Sequence, residues 1–202
     1  MVKRMRLWVV GAFLLAIGGT VVASNMGFKF VPNFNAGGST IVHTIGFPLN
    51  NNYVNAKDVR DDITASGCTA GTVQRRNTNQ TIQSYAGIGT PFLLNKQEGL
   101  RTTVGGAGCT SWVVVGSWDP AYVYQFPTAS PSQYLVTMPY HTTAINARDV
   151  FLSGPFSGVR RINRNQTIQA YAGIGTPFPI TIGEPLIVLV TAASSTWVPP
   201  HY

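Results

Sequence analysis

Asn79–Phe92 reads NQTIQSYAGIGTPF and Asn165–Phe178 reads NQTIQAYAGIGTPF, a single stretch written twice with one change, Ser84 against Ala170. Self-similarity at this scale marks a repeated structural unit, and it decides the fold before any single element is considered. The match runs outward from the identical core. Upstream, Asn55-Ala56-Lys57-Asp58-Val59 answers Asn146-Ala147-Arg148-Asp149-Val150, and Pro48 answers Pro139. Downstream, Glu98 answers Glu184, and Ser111-Trp112-Val113 answers Thr196-Trp197-Val198. The expectation is a tandem duplication: a β module over 25–119 and a second over 120–202, preceded by a signal peptide over 1–24.

The amino-terminal stretch has the layout of a secretory signal. Lys3, Arg4 and Arg6 precede an apolar run from Leu7 to Val22, and the small residues Ala23 and Ser24 follow. An uncleaved anchor is the competing reading, but the run is short for a spanning helix and contains Gly11, Gly18 and Gly19. No second apolar stretch is long enough to span a bilayer, so no membrane span is expected after cleavage. The formal charge of +7 is inflated by the same segment; without its three cations, 11 basic residues face 7 acidic ones. That excess is too small and too scattered to predict nucleic-acid binding. Charged residues make up 10% of the chain, well below the roughly 25% of soluble globular proteins. A weakly charged surface rich in Thr, Gly and Asn suits an extracellular β protein.

Cys68 and Cys109 are the only cysteines, and both fall in the first module. In an exported chain an even pair predicts a disulfide. Metal binding is disfavoured because two distant cysteines lack the clustered spacing of a zinc site. Cys109 aligns with Ser194, so the bridge belongs to one copy.

Each copy reads as mostly strand with one short helix, giving a mainly β fold of two homologous small barrels or sandwiches. Asn55 and Asn146 are predicted N-caps, with Asp58 and Asp149 three residues on in capping-box positions. Val59 and Ile63 supply an i, i+4 apolar pair to dock the first helix. Strands are expected at 27–31, 40–47, 72–76, 81–86, 92–95, 100–104 and 111–117, with 92–95 and 100–104 forming a hairpin around Lys96–Gly99. In the second copy they are expected at 122–126, 134–138, 159–162, 167–172, 178–182, 186–190 and 196–199. Leu186–Val190 is apolar on both faces, so Ile187 and Leu189 need a cover: the other module, the N-terminal segment, a neighbouring subunit, or an internal position in the sheet.

Nothing in the sequence assembles a catalytic set, and no enzyme activity, cofactor or metal is expected. His43, His141 and His201 have no counterpart histidine in the other copy, and no HExxH, GxSxG or phosphate-binding loop occurs. Gly87-Ile88-Gly89 leads into Pro91 and a strand, which rejects a nucleotide fingerprint. Glu98 and Glu184 read as turn carboxylates accepting backbone N–H bonds. Arg75-Arg76 and Arg160-Arg161 read as charges on a solvated strand edge. Phe92, Phe178, Trp112 and Trp197 are expected in the cores, with Tyr85 and Tyr171 the candidates for exposure and for stacking on sugar rings. Asn79-Gln80-Thr81 and Asn165-Gln166-Thr167 match the N-glycosylation acceptor pattern.

The order of a strand ending in Met138-Pro139-Tyr140, the Asn146–Val150 helix start, Gly175–Phe178, Gly183-Glu184 and the closing Thr196–Tyr202 resembles a family of exported bacterial proteins built from tandem β modules. The resemblance implies export and architecture and transfers no site residues. It leads to a first expectation of a non-enzymatic secreted or cell-surface structural protein that self-assembles, as a homo-oligomer or filament. Phe28, Phe30, Ile187 and Leu189 are the candidate assembly contacts. The alternative is a secreted carbohydrate-binding or adhesion protein with glycans as partners and Tyr85 and Tyr171 as contacts.

Overall fold

The computed structural model describes residues 26–32, 41–47, 50–77, 79–106, 109, 111–117, 119, 121–127, 132–163 and 165–201, with 26–32 described by backbone alone. The segment expected to be a signal peptide lies outside the described residues. Strands run β1 Met26–Pro32, β2 Ile41–Gly46, β3 Thr69–Arg76, β4 Ile82–Tyr85, β5 Gly99–Gly105, β6 Ser111–Ser117, β7 Tyr124–Phe126, β8 Ser132–Thr137, β9 Phe156–Ile162, β10 Ile168–Tyr171, β11 Pro185–Val190 and β12 Ser195–Trp197. Helix α1 spans Ala56–Ala65 and α2 spans Ala147–Ser153.

The pairing is antiparallel and has the same plan in both halves. The first half has a sheet in the order β2-β5-β3-β4 and a ribbon β1-β6; the second has β8-β11-β9-β10 and a ribbon β7-β12. In each half the first strand returns to pair with the last, and the penultimate strand inserts at the centre of the sheet. The ribbon and helix cover one face of each sheet, making a small two-layer unit. One core draws on residues from Ile45 to Val114 and the other on residues from Tyr124 to Trp197, with no member in common.

Local sequence explains the helices. Asn55 Oδ1 accepts from Lys57 N at 2.8 Å and Asp58 N at 3.3 Å, while Asp58 Oδ2 accepts from Asn55 N at 2.9 Å. Asn146 and Asp149 repeat this reciprocal cap, which satisfies donors a helix start would leave orphaned. Val59 and Ile63 are buried against the sheet, as is Val150 in α2. The closing strand of each half is tied to the same position of its helix. Trp112 Nε1 donates to Asp62 Oδ2 at 2.5 Å, and Trp197 Nε1 donates to Ser153 Oγ at 3.0 Å.

One expectation is corrected. Residues 92–95 form no hairpin with the strand that follows, and the corresponding residues 178–182 behave alike. They run instead beside the helix start: Ala56 N bonds Phe92 O and Leu94 N bonds Val54 O, with Ala147 N to Phe178 O and Ile180 N to Ile145 O in the second half. The reason is topological, since β5 and β11 are central strands with both edges already paired. The strong apolar pattern of Leu186–Val190 follows from that same internal position: Leu186, Val188 and Val190 enter the core, while Ile187 and Leu189 are half-buried on the other face.

The cysteines are joined as expected. Cys68 and Cys109 form a disulfide with Cα atoms 4.4 Å apart across a separation of 41 residues. On the chain-entropy account a loop of this size stabilises by about 4 kcal/mol.

Candidate functional site

The repeated stretch builds a side-chain cluster that occurs once in each half. Arg75 Nε donates to Gln83 Oε1 at 2.9 Å and its Nη1 donates to Leu93 O at 2.6 Å. Its guanidinium lies 4.9 Å from the Phe92 ring centre and 3.7 Å from Glu98 Oε2. Arg161 does the same with Gln169 at 2.6 Å, Pro179 O at 2.9 Å, Phe178 at 4.8 Å and Glu184 at 3.3 Å. These arginines are therefore largely covered, correcting their expected role as solvated edge charges. Their side chains retain only 18% and 21% exposure, because a planar guanidinium can stack on a ring and bond in its own plane. The four partners recur at identical spacing in both copies, and that shared spacing was the signal available in the sequence.

Glu98 and Glu184 act as the expected turn carboxylates. Glu98 Oε2 accepts from Asn95 N at 2.9 Å and Glu184 Oε2 from Thr181 N at 2.8 Å. Burial raises the Glu98 carboxyl above its ordinary range, against the opposing pull of the Asn95 N–H and of Arg75.

Tyr85 and Tyr171 are each 5% exposed and belong to the two cores. Neither offers a ring face for stacking on a sugar, so their expected exposure is corrected: each ends a strand on the face turned toward helix and core. Phe92, Phe178, Trp112 and Trp197 are buried as expected. The side chains of Phe28 and Phe30 lie outside the described residues; the backbone of β1 pairs with β6 of its own chain.

Among the apolar side chains left outside the cores, those of the loop tips are the most exposed. Ile88 and Ile174 are 92% and 91% exposed. Each sits between glycines at positive φ, Gly87 and Gly89 or Gly173 and Gly175, a backbone that L side chains rarely adopt. The same apolar tip is thus presented twice.

The two sheets meet through their outer faces, and the contact is reciprocal. Gln80 Oε1 accepts from Gln133 N at 2.8 Å, while Gln166 Nε2 donates to Val42 O at 2.7 Å. Gln80 corresponds to Gln166 and Val42 to Gln133, so each half gives what it receives. Both glutamines hold positive φ, 69° and 65°. Gly46 and Thr137 are also corresponding positions, and they touch each other: a Cβ on Gly46 would lie 2.4 Å from Thr137 Oγ1. Corresponding residues in mutual contact lie beside a local twofold axis, so the halves meet as in an isologous dimer. Tyr124 adds a buried link: its hydroxyl accepts from Thr137 N and lies 2.9 Å from Gln97 O. Burial raises the Tyr124 hydroxyl above its usual range.

Between the sheets lies a cleft of about 250 Å³, bordered on one side by Gln74, Arg76 and Arg101 and on the other by Ile162, Ile168 and Ile187. Ile187 is half-buried and borders this cleft. Leu189 lies against Gly158 of its own sheet.

Among the described residues, no group of His, Cys, Asp and Glu is arranged to hold a metal ion, and no helix is long and apolar enough to cross a membrane. The geometry defines a class: a mainly β, disulfide-bearing protein of two similarly wound halves. Comparison of the chain with family models, curated proteins and solved structures finds no match.

Proposed function

We propose that this is an exported, non-enzymatic structural protein that assembles with copies of itself at the cell surface or in an extracellular filament. The observation that carries the reading is the pair of identical apolar tips, Ile88 and Ile174, held almost fully exposed on backbone that favours glycine. Many of the repeated polar side chains are consumed internally, in helix caps, in the Arg–Gln–Glu clusters and, for Gln80 and Gln166, in the contact between the halves. What recurs at the surface is shape and apolar area, which fits contact between proteins better than chemistry on a substrate. The disulfide fits an oxidising compartment.

Strand exchange supplies a second contact. Within the described residues β1 pairs only with β6, so the same hydrogen bonds re-form if β1 lies along β6 of a neighbouring copy. The local twofold contact is closed on itself, so growth uses the loop tips and the β1-β6 ribbon. The test is electron microscopy and light scattering of the purified protein over a range of concentrations. Higher-order assemblies are expected from the native chain, and Ile88→Asp with Ile174→Asp should suppress them while leaving the fold intact. Monomers at every concentration would remove this reading.

A further inference from the structure

The cleft on the local twofold axis has walls that correspond in position and differ in chemistry. Arg76 corresponds to Ile162, and Arg101 to Ile187. At these two pairs of positions one sheet presents a cation and the other isoleucine, while the corresponding Ile82 and Ile168 line the cleft from both sides. The described lining includes three arginines and no carboxylate. Arg75 is occupied by Glu98, Gln83 and the Leu93 carbonyl. Arg76 makes one long bond, 3.3 Å to Gln80 O. Arg101 Nε is buried and has no hydrogen-bond partner among the described residues, and neither does Thr44 Oγ1, which sits directly across from Arg101 in the β2-β5 register. An orphaned buried donor costs roughly 1–3 kcal/mol and asks for a partner. Packing the arginine stems along isoleucine accounts for their methylenes and leaves a cleft lined by cations with no anion among the described residues.

We propose that this cleft binds a small amphipathic organic anion, a carboxylate on an apolar chain, with one molecule per protein. The carboxylate accepts from Arg101 and Arg76, the geometry in which guanidinium bonds are strongest. The chain lies along Ile162, Ile168 and Ile187. A neutral ligand of the same length leaves the arginines unpaired, and a cationic one meets like charge. The cleft falls below the roughly 300–1,000 Å³ of drug-sized sites, which limits the ligand to a short or medium chain.

Isothermal titration of the full chain with decanoate, decanol and decyltrimethylammonium, each below its micellar concentration, tests this. Decanoate should give one saturable site; decanol should bind on the order of tenfold more weakly, and the cation should give no saturable heat. Arg101→Gln and Arg76→Gln should each weaken decanoate on the order of tenfold or more. Ile168→Glu, at a position 61% exposed, puts a competing carboxylate at the cleft and should weaken decanoate without lowering the melting temperature. If Arg101→Gln does not fold, Arg76→Gln and Ile168→Glu carry the test. The proposal is overturned if decanoate gives no saturable binding, if decanol matches it, or if folded variants bind decanoate like the native chain.

Discussion

At the residue scale the Arg75–Glu98 and Arg161–Glu184 clusters organise each half. The second is tighter, with the ion pair at 3.3 Å against 3.7 Å. Truncation leaves a covered carboxylate without its cation and a ring without its stacked guanidinium. Arg161→Ala should therefore cost about 2 kcal/mol, and Arg75→Ala somewhat less, measured by urea denaturation; equal and negligible losses would show the arginines to be solvated after all. Glu98 gives a pH signature. Its carboxyl is raised by burial, so the native state holds that proton more firmly than the unfolded chain. The contribution is full below the ordinary carboxyl range and is lost as pH rises through the raised value. The melting temperature of the native chain should fall across that window relative to Glu98→Gln, and parallel profiles for the two would refute the assignment. These clusters were readable in principle from the spacing shared by Arg, Gln, Phe and Glu in both copies. Charge alone pointed to solvent, because it carries no information about a ring stacked 17 residues downstream.

At the element scale the helices are the best-specified parts. Asn, a short gap and Asp encode a reciprocal cap that needs no distant partner. Asn55→Ala and Asn146→Ala should each cost about 1 kcal/mol. The effect should be proportionally more severe for α2, which has seven residues against ten in α1, and helical circular dichroism during denaturation would check it. The hairpin of β3 with β4 was also legible, since Asn77 and Asn79 mark the turn between two β-rich runs. The segment 92–95 misled for a physical reason: its composition suits a strand, but its backbone partners lie at residues 54–56. Pairing with a helix start leaves no alternation to read.

For the whole molecule the decisive feature is the close approach of the halves at their axis. Gly46 lies against Thr137, and a Cβ at Gly99 would stand 2.5 Å from Leu135 Cγ. No φ in the left-handed region accompanies either glycine; the requirement is space. Gly46→Val should force the sheets apart at a cost of about 1–3 kcal/mol. Calorimetry should then resolve separate transitions for the halves where the native chain unfolds with more overlap. A single transition, unchanged in midpoint, would place the cohesion of the halves elsewhere.

The sequence by itself determined that one unit is written twice, that strands dominate, where the two helices begin, and that two cysteines stand ready to pair. Those features depend on local pattern or on comparison of the chain with itself. Only the tertiary structure decided that Tyr85 and Tyr171 turn inward, that β5 and β11 become central strands, and that the halves face each other with arginine opposite isoleucine. Each of those depends on which surfaces meet across long stretches of chain, and a linear pattern fixes the face of a strand without fixing what lies opposite it.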